Sequence, residues 1–189
     1  MIVGGVPMLF GGFGAPPSNT YDTWNPNDKN ANVVLTDGNL SAASSDSGRW
    51  VTVRATVGKT SGKWYWEVRA INTYYVVNPG VALIGNSLSD RPLCSYQSNG
   101  VILYGSTWSA AVVENNDVVG IALDMDAGTL RFYKNNVPQA ELLTGLVGPC
   151  YPSISLLYDS GAPSKVTANF GATALVYAPP SGFNAGVYT

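Results

Sequence analysis

The stretch VVGIALDMDAGTLRFYKNNVPQ, residues 118–139, constrains this chain most. Two apolar runs flank Asp126-Ala127-Gly128, and Gly128 supplies the φ > 0 conformation that a tight turn needs. The second run then reverses at Asn135-Asn136, and Asn tolerates the left-handed conformation better than most non-Gly residues. The spacing predicts two successive antiparallel hairpins. Along the first run Val119, Ile121 and Leu123 alternate with Val118, Gly120 and Ala122. Both faces are apolar, which predicts a strand covered on both sides.

The same grammar continues outside this stretch. Strands are predicted at residues 33–35, 40–43, 51–57, 63–71, 81–84, 100–104, 118–124, 129–134, 153–157 and 166–170. Turns are predicted at Asp37-Gly38-Asn39, Ser47-Gly48, Ser61-Gly62, Asn78-Pro79-Gly80, Asn99-Gly100 and Ser160-Gly161. No window carries a helical stripe and no internal repeat is visible. Short strands at this spacing predict an all-β sandwich. Residues 1–20 form an apolar Gly/Pro-rich arm, and residues 21–189 form the β-sandwich domain.

Composition excludes several functions. Charged residues are 12% of the chain, half the usual ~25%. The formal net charge is −2, so no basic field is present to hold nucleic acid. The chain has no His, which removes His-dependent triads and most zinc sites. Cys94 and Cys150 are not a CxxC pair. They are read as free buried thiols, with a single disulfide as the alternative. MIVGGVPMLFGGFGAPP lacks the cationic start of an export signal, and glycines and prolines interrupt it too often for a membrane span. No cofactor or metal is expected.

Four motifs, in order, resemble the SPRY (B30.2-like) domain family. GKWYWEV at 62–68 is similar to its Gly-x-x-Tyr-x-Glu-Val strand. GIALD at 120–124 followed by GTLRF at 128–132 is similar to its central hairpin. YPSISL at 151–156 and Asn169-Phe170-Gly171 are similar to its later strand and closing motif. The turn after Lys134-Asn135 carries Asn136 where the family usually has Gly. The segment before residue 50 lacks the PRY pattern, so the chain looks more like the single-SPRY type of bacterial and phage proteins. The resemblance implies a bent antiparallel β-sandwich of concanavalin-like jelly-roll type. It also implies a binding module without catalysis, its partners docking on variable loops at one edge.

Adjacent Trp64, Tyr65 and Trp66 look like a stacking platform, but strand neighbours face opposite ways. Trp64, Trp66 and Val68 share one face, and Lys63, Tyr65 and Glu67 the other, so the aromatics are expected to fill a core. Asp124, Asp126 and Gly128 resemble the start of a calcium loop, yet the next residues read as a strand and the distal carboxylate is missing. The carboxylates Glu67, Asp90, Glu114, Asp117, Asp124, Asp126, Glu141 and Asp159 form no pattern that argues for glycoside hydrolysis.

Loops hold the better candidates. Tyr74, Tyr75 and Asn78 lie in NTYYVVNP, Arg91, Tyr96 and Gln97 in SDRPLCSYQS, and Trp108 in STWS. Loop Tyr, Trp and Arg are residues that binding surfaces use, and edge packing is the alternative. In the arm, Ile2, Val3, Leu9, Phe10 and Phe13 are unfavourable in water and are expected to dock into a neighbouring subunit. The leading expectation is a non-catalytic structural or adhesive virion protein such as a phage tail-fibre, head-fibre or capsid-decoration subunit. It would be located in the virion and oligomeric there, with other virion proteins as partners and a host-surface protein or glycan as ligand. The alternative is a cellular interaction module recognising a peptide. A carbohydrate-active enzyme is the remote third reading.

Overall fold

The computed structural model describes residues 19–45, 48–73, 77–158 and 163–189. Its elements are β1 (Trp24–Lys29), β2 (Val33–Thr36), β3 (Ser41–Ser44), β4 (Arg49–Ala55), β5 (Lys63–Asn72), β6 (Val77–Ala82), β7 (Cys94–Gln97) and β8 (Val101–Tyr104). They continue with β9 (Ser106–Ser109), β10 (Val118–Asp124), β11 (Thr129–Lys134), β12 (Val137–Thr144), β13 (Tyr151–Tyr158), β14 (Lys165–Asn169) and β15 (Asn184–Ala185). No helix occurs among the described residues. One sheet has the order β1-β4-β13-β6-β7-β8-β9 and the other β12-β11-β10-β5-β14-β3-β2. All of these ladders are antiparallel; β15 alone pairs parallel, with β5.

The two hairpins form as their turn residues dictate. Asp124 pairs with Thr129 across the first turn, where Gly128 has φ +63°. The Asp124 carboxylate accepts the N–H groups of Asp126 and Ala127, each at 3.0 Å, and the Lys63 ammonium at 2.9 Å. Asp126 accepts the Gly62 N–H at 2.7 Å. The calcium-like spacing is therefore a turn whose carboxylates are taken by donors of the chain. In the second turn Asn135 and Asn136 have φ +46° and +67° between paired Lys134 and Val137. That is the two-residue loop with both central residues left-handed. Asn136 takes the left-handed conformation at the position where Gly is usual.

The core lies between the sheets. Trp66, Val68, Ile121, Leu123 and Phe132 from one sheet meet Val51, Val53, Tyr96, Ile102, Ile154 and Leu156 from the other. Trp66 is fully buried, and burying such a ring stabilises the fold by about 2–3 kcal/mol. Tyr65 points the other way and is buried too, its ring lying over Gly120 of β10. Trp64 is half-buried at the sandwich end. Its indole N–H donates to the Ser61 carbonyl at 2.7 Å, and the Lys59 ammonium sits 3.6 Å from the ring centroid. The aromatic triplet is thus divided by the strand, as its alternation implies. Cys94 and Cys150 are both buried and free.

Each predicted strand is present; 118–124 and 129–134 match to the residue, and the others have shifted ends. The strands that sequence pattern misses are mostly edges. β1, with Asn-Pro-Asn-Asp, and β9 bound the first sheet, and β12, with Pro138, bounds the second. Edge strands tolerate proline and polar residues because one side of the ladder is open. One turn is corrected. Asn78-Pro79-Gly80 lies inside β6, paired with Ser155, Ile154 and Ser153. The β6–β7 ladder contains only Gly80 and Val81, so Pro79 stands just before it.

The outer face of the second sheet is sealed by the chain after β14. Residues 171–183 cross it and return as β15, which pairs Asn184 with Trp64 and Ala185 with Tyr65. β14 ends opposite Glu67, so β15 continues the flank of β5 where β14 stops. Glu67, 2% exposed, accepts the N–H groups of Val176 and Tyr177, both at 2.8 Å. This crossing segment is called the strap below.

Candidate partner-binding surface

The β6–β7 connection, residues 83–93, lies back across the outer face of the first sheet. Strand alternation explains its bed. Val51, Val53 and Ala55 of β4 face the core, so Trp50, Thr52 and Arg54 face outward. Arg54 is buried and reaches in two directions. Its guanidinium makes a two-point pair with Asp28 at 2.7 and 2.8 Å, and donates to the carbonyls of Leu83 and Asn86 at 3.1 and 2.9 Å. The Thr52 N–H donates to the Leu88 carbonyl at 2.9 Å, and the Thr52 and Ser155 hydroxyls both donate to the Asp90 carbonyl. The loop is held by a polar clamp.

That clamp sets Arg91 above Trp50, its guanidinium carbon 5.8 Å from the ring centroid. Arg91 is exposed and Trp50 half-buried. Asn30, in the β1–β2 turn, donates to the Ser89 hydroxyl at 3.0 Å and joins the loop to its neighbour. Beside these lies a hollow of 310 Å³ lined by Asn30, Asn32, Arg49, Trp50, Val51 and Ser89. At that distance the guanidinium makes a cation–π contact with the indole face, and its N–H groups can still donate to a ligand. The surface therefore offers an aromatic face, two arginines and amide groups, a set that fits an extended segment with a carboxylate or amide side chain.

Of the loop candidates, Arg91 is the one placed on this surface. Asn78, Tyr96 and Gln97 are corrections: all three are buried and lie on β6 and β7 rather than on loops. Tyr96 packs its ring 5.7 Å from Phe132 and donates its hydroxyl to the Ala111 carbonyl. Burial pushes that hydroxyl up to about 12. Trp108 is half-buried on edge strand β9, packed against the core. It stands five strand spacings from β4, about 24 Å at ~4.8 Å each, so one small ligand cannot touch both Trp108 and Arg91. Tyr74 and Tyr75, and the arm residues Ile2, Val3, Leu9, Phe10 and Phe13, lie outside the described residues. Sequence reasoning missed Trp50 and Arg49. The alternation of β4 was the available signal, because it sends Trp50 to the face opposite Val51 and Val53.

Four of the eight carboxylates weighed for catalysis hold structure together. Glu67 holds the strap and Asp124 and Asp126 the first hairpin. Asp117 binds Lys134 at 3.0 Å, the Asn135 amide at 2.6 Å and the Glu114 N–H at 2.7 Å. Among the described residues no group of three or more His, Cys, Asp or Glu is placed to hold a metal ion. No helix among them is long and apolar enough to cross a membrane.

Comparison with known proteins agrees with this architecture. The SPRY domain model matches residues 63–173. The E3 ubiquitin-protein ligase RKP of Arabidopsis thaliana is 29% identical over 151 residues, covering 70% of this chain and 11% of that protein. The chain thus spans about a tenth of that relative. Among solved structures, the SPRY domain of human HERC1 superposes with a TM-score of 0.64 at 21% identity, covering 77% of this chain and 96% of that one. The TRIM65 PSpry domain gives 0.62 at 19% identity, covering 79% and 92%. Stonustoxin gives 0.60 at 20% identity, covering 79% of this chain and 27% of that one. These likenesses establish the fold. With the family model matched over more than half its length, the chain belongs to the SPRY domain family.

Proposed function

We propose that this domain is a protein-interaction module that grips an extended peptide segment of a partner on the surface around Trp50 and Arg91. The observation that carries the reading is the Arg91 guanidinium 5.8 Å above the Trp50 ring, beside the 310 Å³ hollow. Arg49 and Arg91 supply charged donors, Asn30 and Asn32 line the same hollow, and Trp50 supplies apolar area. Such residues dominate binding energy at protein interfaces. An acidic side chain on the partner, bonded in two points by a guanidinium, gives the contact direction as well as strength. None of the relatives reported above is described as a virion protein, and they favour the peptide-recognition reading over a tail-fibre or capsid role.

The test is a peptide display selection against the whole chain, followed by titration of the best binder. Trp50→Ala with Arg91→Ala should weaken binding at least tenfold while the melting temperature stays within 2 °C, because both side chains lie outside the core. Unchanged affinity in that variant would sink the assignment. A selection that yields only binders without acidic residues would reject the chemistry proposed for the arginines.

A further inference from the structure

The strap that seals Tyr65 leaves an apolar surface of its own. Residues 171–180, GATALVYAPP, contain no charged side chain. Ala172, Ala174 and Ala178 are exposed, and Val176 is 52% exposed. A shallow hollow of 550 Å³ lies in the curl of the strap, walled by Tyr21, Leu175, Tyr177, Pro179 and Ala185. A second, of 340 Å³, lies between the strap and β5, where Ile71 is 38% exposed; Val118, Ala168 and Val176 form its apolar wall, and Glu67, Arg69 and Asn169 its polar side. Ala174 lines both, so the two hollows adjoin there and are called the groove below. Contiguous apolar surface of this kind marks a docking site.

We propose that the occupant of this groove is the chain's own segment Ile2–Phe13, bound within the same molecule. Its point of departure is the first argument. The Thr189 N–H donates to the Thr20 carbonyl at 3.1 Å, and Tyr21 is bridged to Tyr188. Tyr21 is itself a wall of the groove, so the described chain begins at its rim. Chemistry is the second argument. Residues 1–20 carry no charged side chain, and none lines the first hollow, so no charge is desolvated when Leu9, Phe10 and Phe13 enter it; Glu67 and Arg69 border only the second. Glycines and prolines through the segment oppose a helix, and an extended chain suits a shallow groove. Reach is the third argument. The eight residues from Phe13 to Tyr21 span up to about 26 Å at ~3.3 Å per residue, enough to carry Phe13 across either hollow. A tether this short holds the segment at a local concentration in the millimolar range, which outcompetes a second copy at micromolar protein.

The experiment places a photo-crosslinking benzoylphenylalanine at Phe10 of the full chain and maps its adducts by mass spectrometry. Adducts on residues 171–179 in the monomer band are expected. A second variant, Ala174→Asp with Val176→Asp, puts charge into the groove at exposed positions. It should cut those adducts at least fivefold and speed proteolysis within residues 1–18, with the melting temperature within 2 °C of the parent. Adducts on the strap found only in a dimer band would overturn the intramolecular assignment. Adducts spread over other surfaces, or adducts on the strap that survive both aspartates, would overturn the groove.

Discussion

Replacing Glu67 with alanine isolates the fastening that lets the strap cover the second sheet. The carboxylate is 2% exposed and accepts two backbone N–H groups, from Val176 and Tyr177, at 2.8 Å each. A hydrogen bond to a charged acceptor contributes about 1.5–3 kcal/mol net, so losing both costs about 3–6 kcal/mol. The lower end applies if water reaches the Val176 amide, whose side chain is 52% exposed. For a domain of this size each kcal/mol moves the melting temperature by about 2–4 °C, so a fall of roughly 6–24 °C is expected. Glu67→Gln keeps one oxygen acceptor but turns an amide N–H toward the second donor, so it should lie between alanine and the parent. Thermal unfolding measures the total. Hydrogen exchange at the Val176 and Tyr177 amides separates local release of the strap from global loss, because local release accelerates those amides more than core amides of β10. A Glu67→Ala protein melting within 2 °C of the parent, or one whose two amides exchange no faster, would refute the fastening role.

Three further outcomes follow from the geometry. A Cβ built on Gly120 would lie 2.3 Å from the Tyr65 hydroxyl oxygen, so Gly120→Ala should displace a buried ring and cost about 1–3 kcal/mol, read by denaturant unfolding; a neutral result would show that Tyr65 is free to move. Acid should loosen the hairpins. Burial pushes the Asp124 carboxyl up, but the Lys63 ammonium and the Ala127 and Asp126 N–H groups more than offset it, leaving it below its usual 3.8; Asp117 is lowered in the same sense. A lowered folded value means stability present above pH ~4 and lost as pH falls through it, while Asp22, raised by burial, contributes with the opposite sign. Asp124→Asn should therefore flatten the decline in melting temperature between about pH 4 and pH 2, and an unaltered decline would count against the pair. Among the described residues the hydroxyls of Ser95 and Ser153 are buried without a hydrogen-bond partner, on the row Ser153–Gly80–Ser95, so Ser95→Ala and Ser153→Ala should leave stability unchanged or raise it, and a loss above about 1 kcal/mol in chemical denaturation would contradict that.

The boundary between what was legible in sequence and what was not follows the range of the forces involved. Alternation and turn chemistry act over a few residues. They were enough to read the hairpins around Gly128 and Asn135-Asn136, to divide Trp64, Tyr65 and Trp66 between opposite faces, and to identify the all-β class. Edges depend on which strand lies next to nothing, a property of the whole sheet. The polar β1 and the proline-containing β12 therefore carried no local signal. Asn78-Pro79-Gly80 reads as a turn by composition, but its neighbours Ser153, Ile154 and Ser155 come from more than seventy residues away and hold it in a strand.

The candidate surface divides in the same way. Tyr96 and Gln97 look like loop residues because they follow a Pro-containing segment, yet burial depends on the pairing of β7 with β6 and β8. Trp50 falls just before the strand predicted at 51–57, yet it lies within β4 and comes to face Arg91 because Arg54 clamps the distant loop that carries it. Local sequence determined the strands, their faces and the turns that join them. Only the tertiary structure decided which outer faces are sealed and which side chains remain available to a partner, because cover comes from segments far apart in the chain, held by long-range hydrogen bonds such as Glu67 to Tyr177 and Arg54 to Asn86.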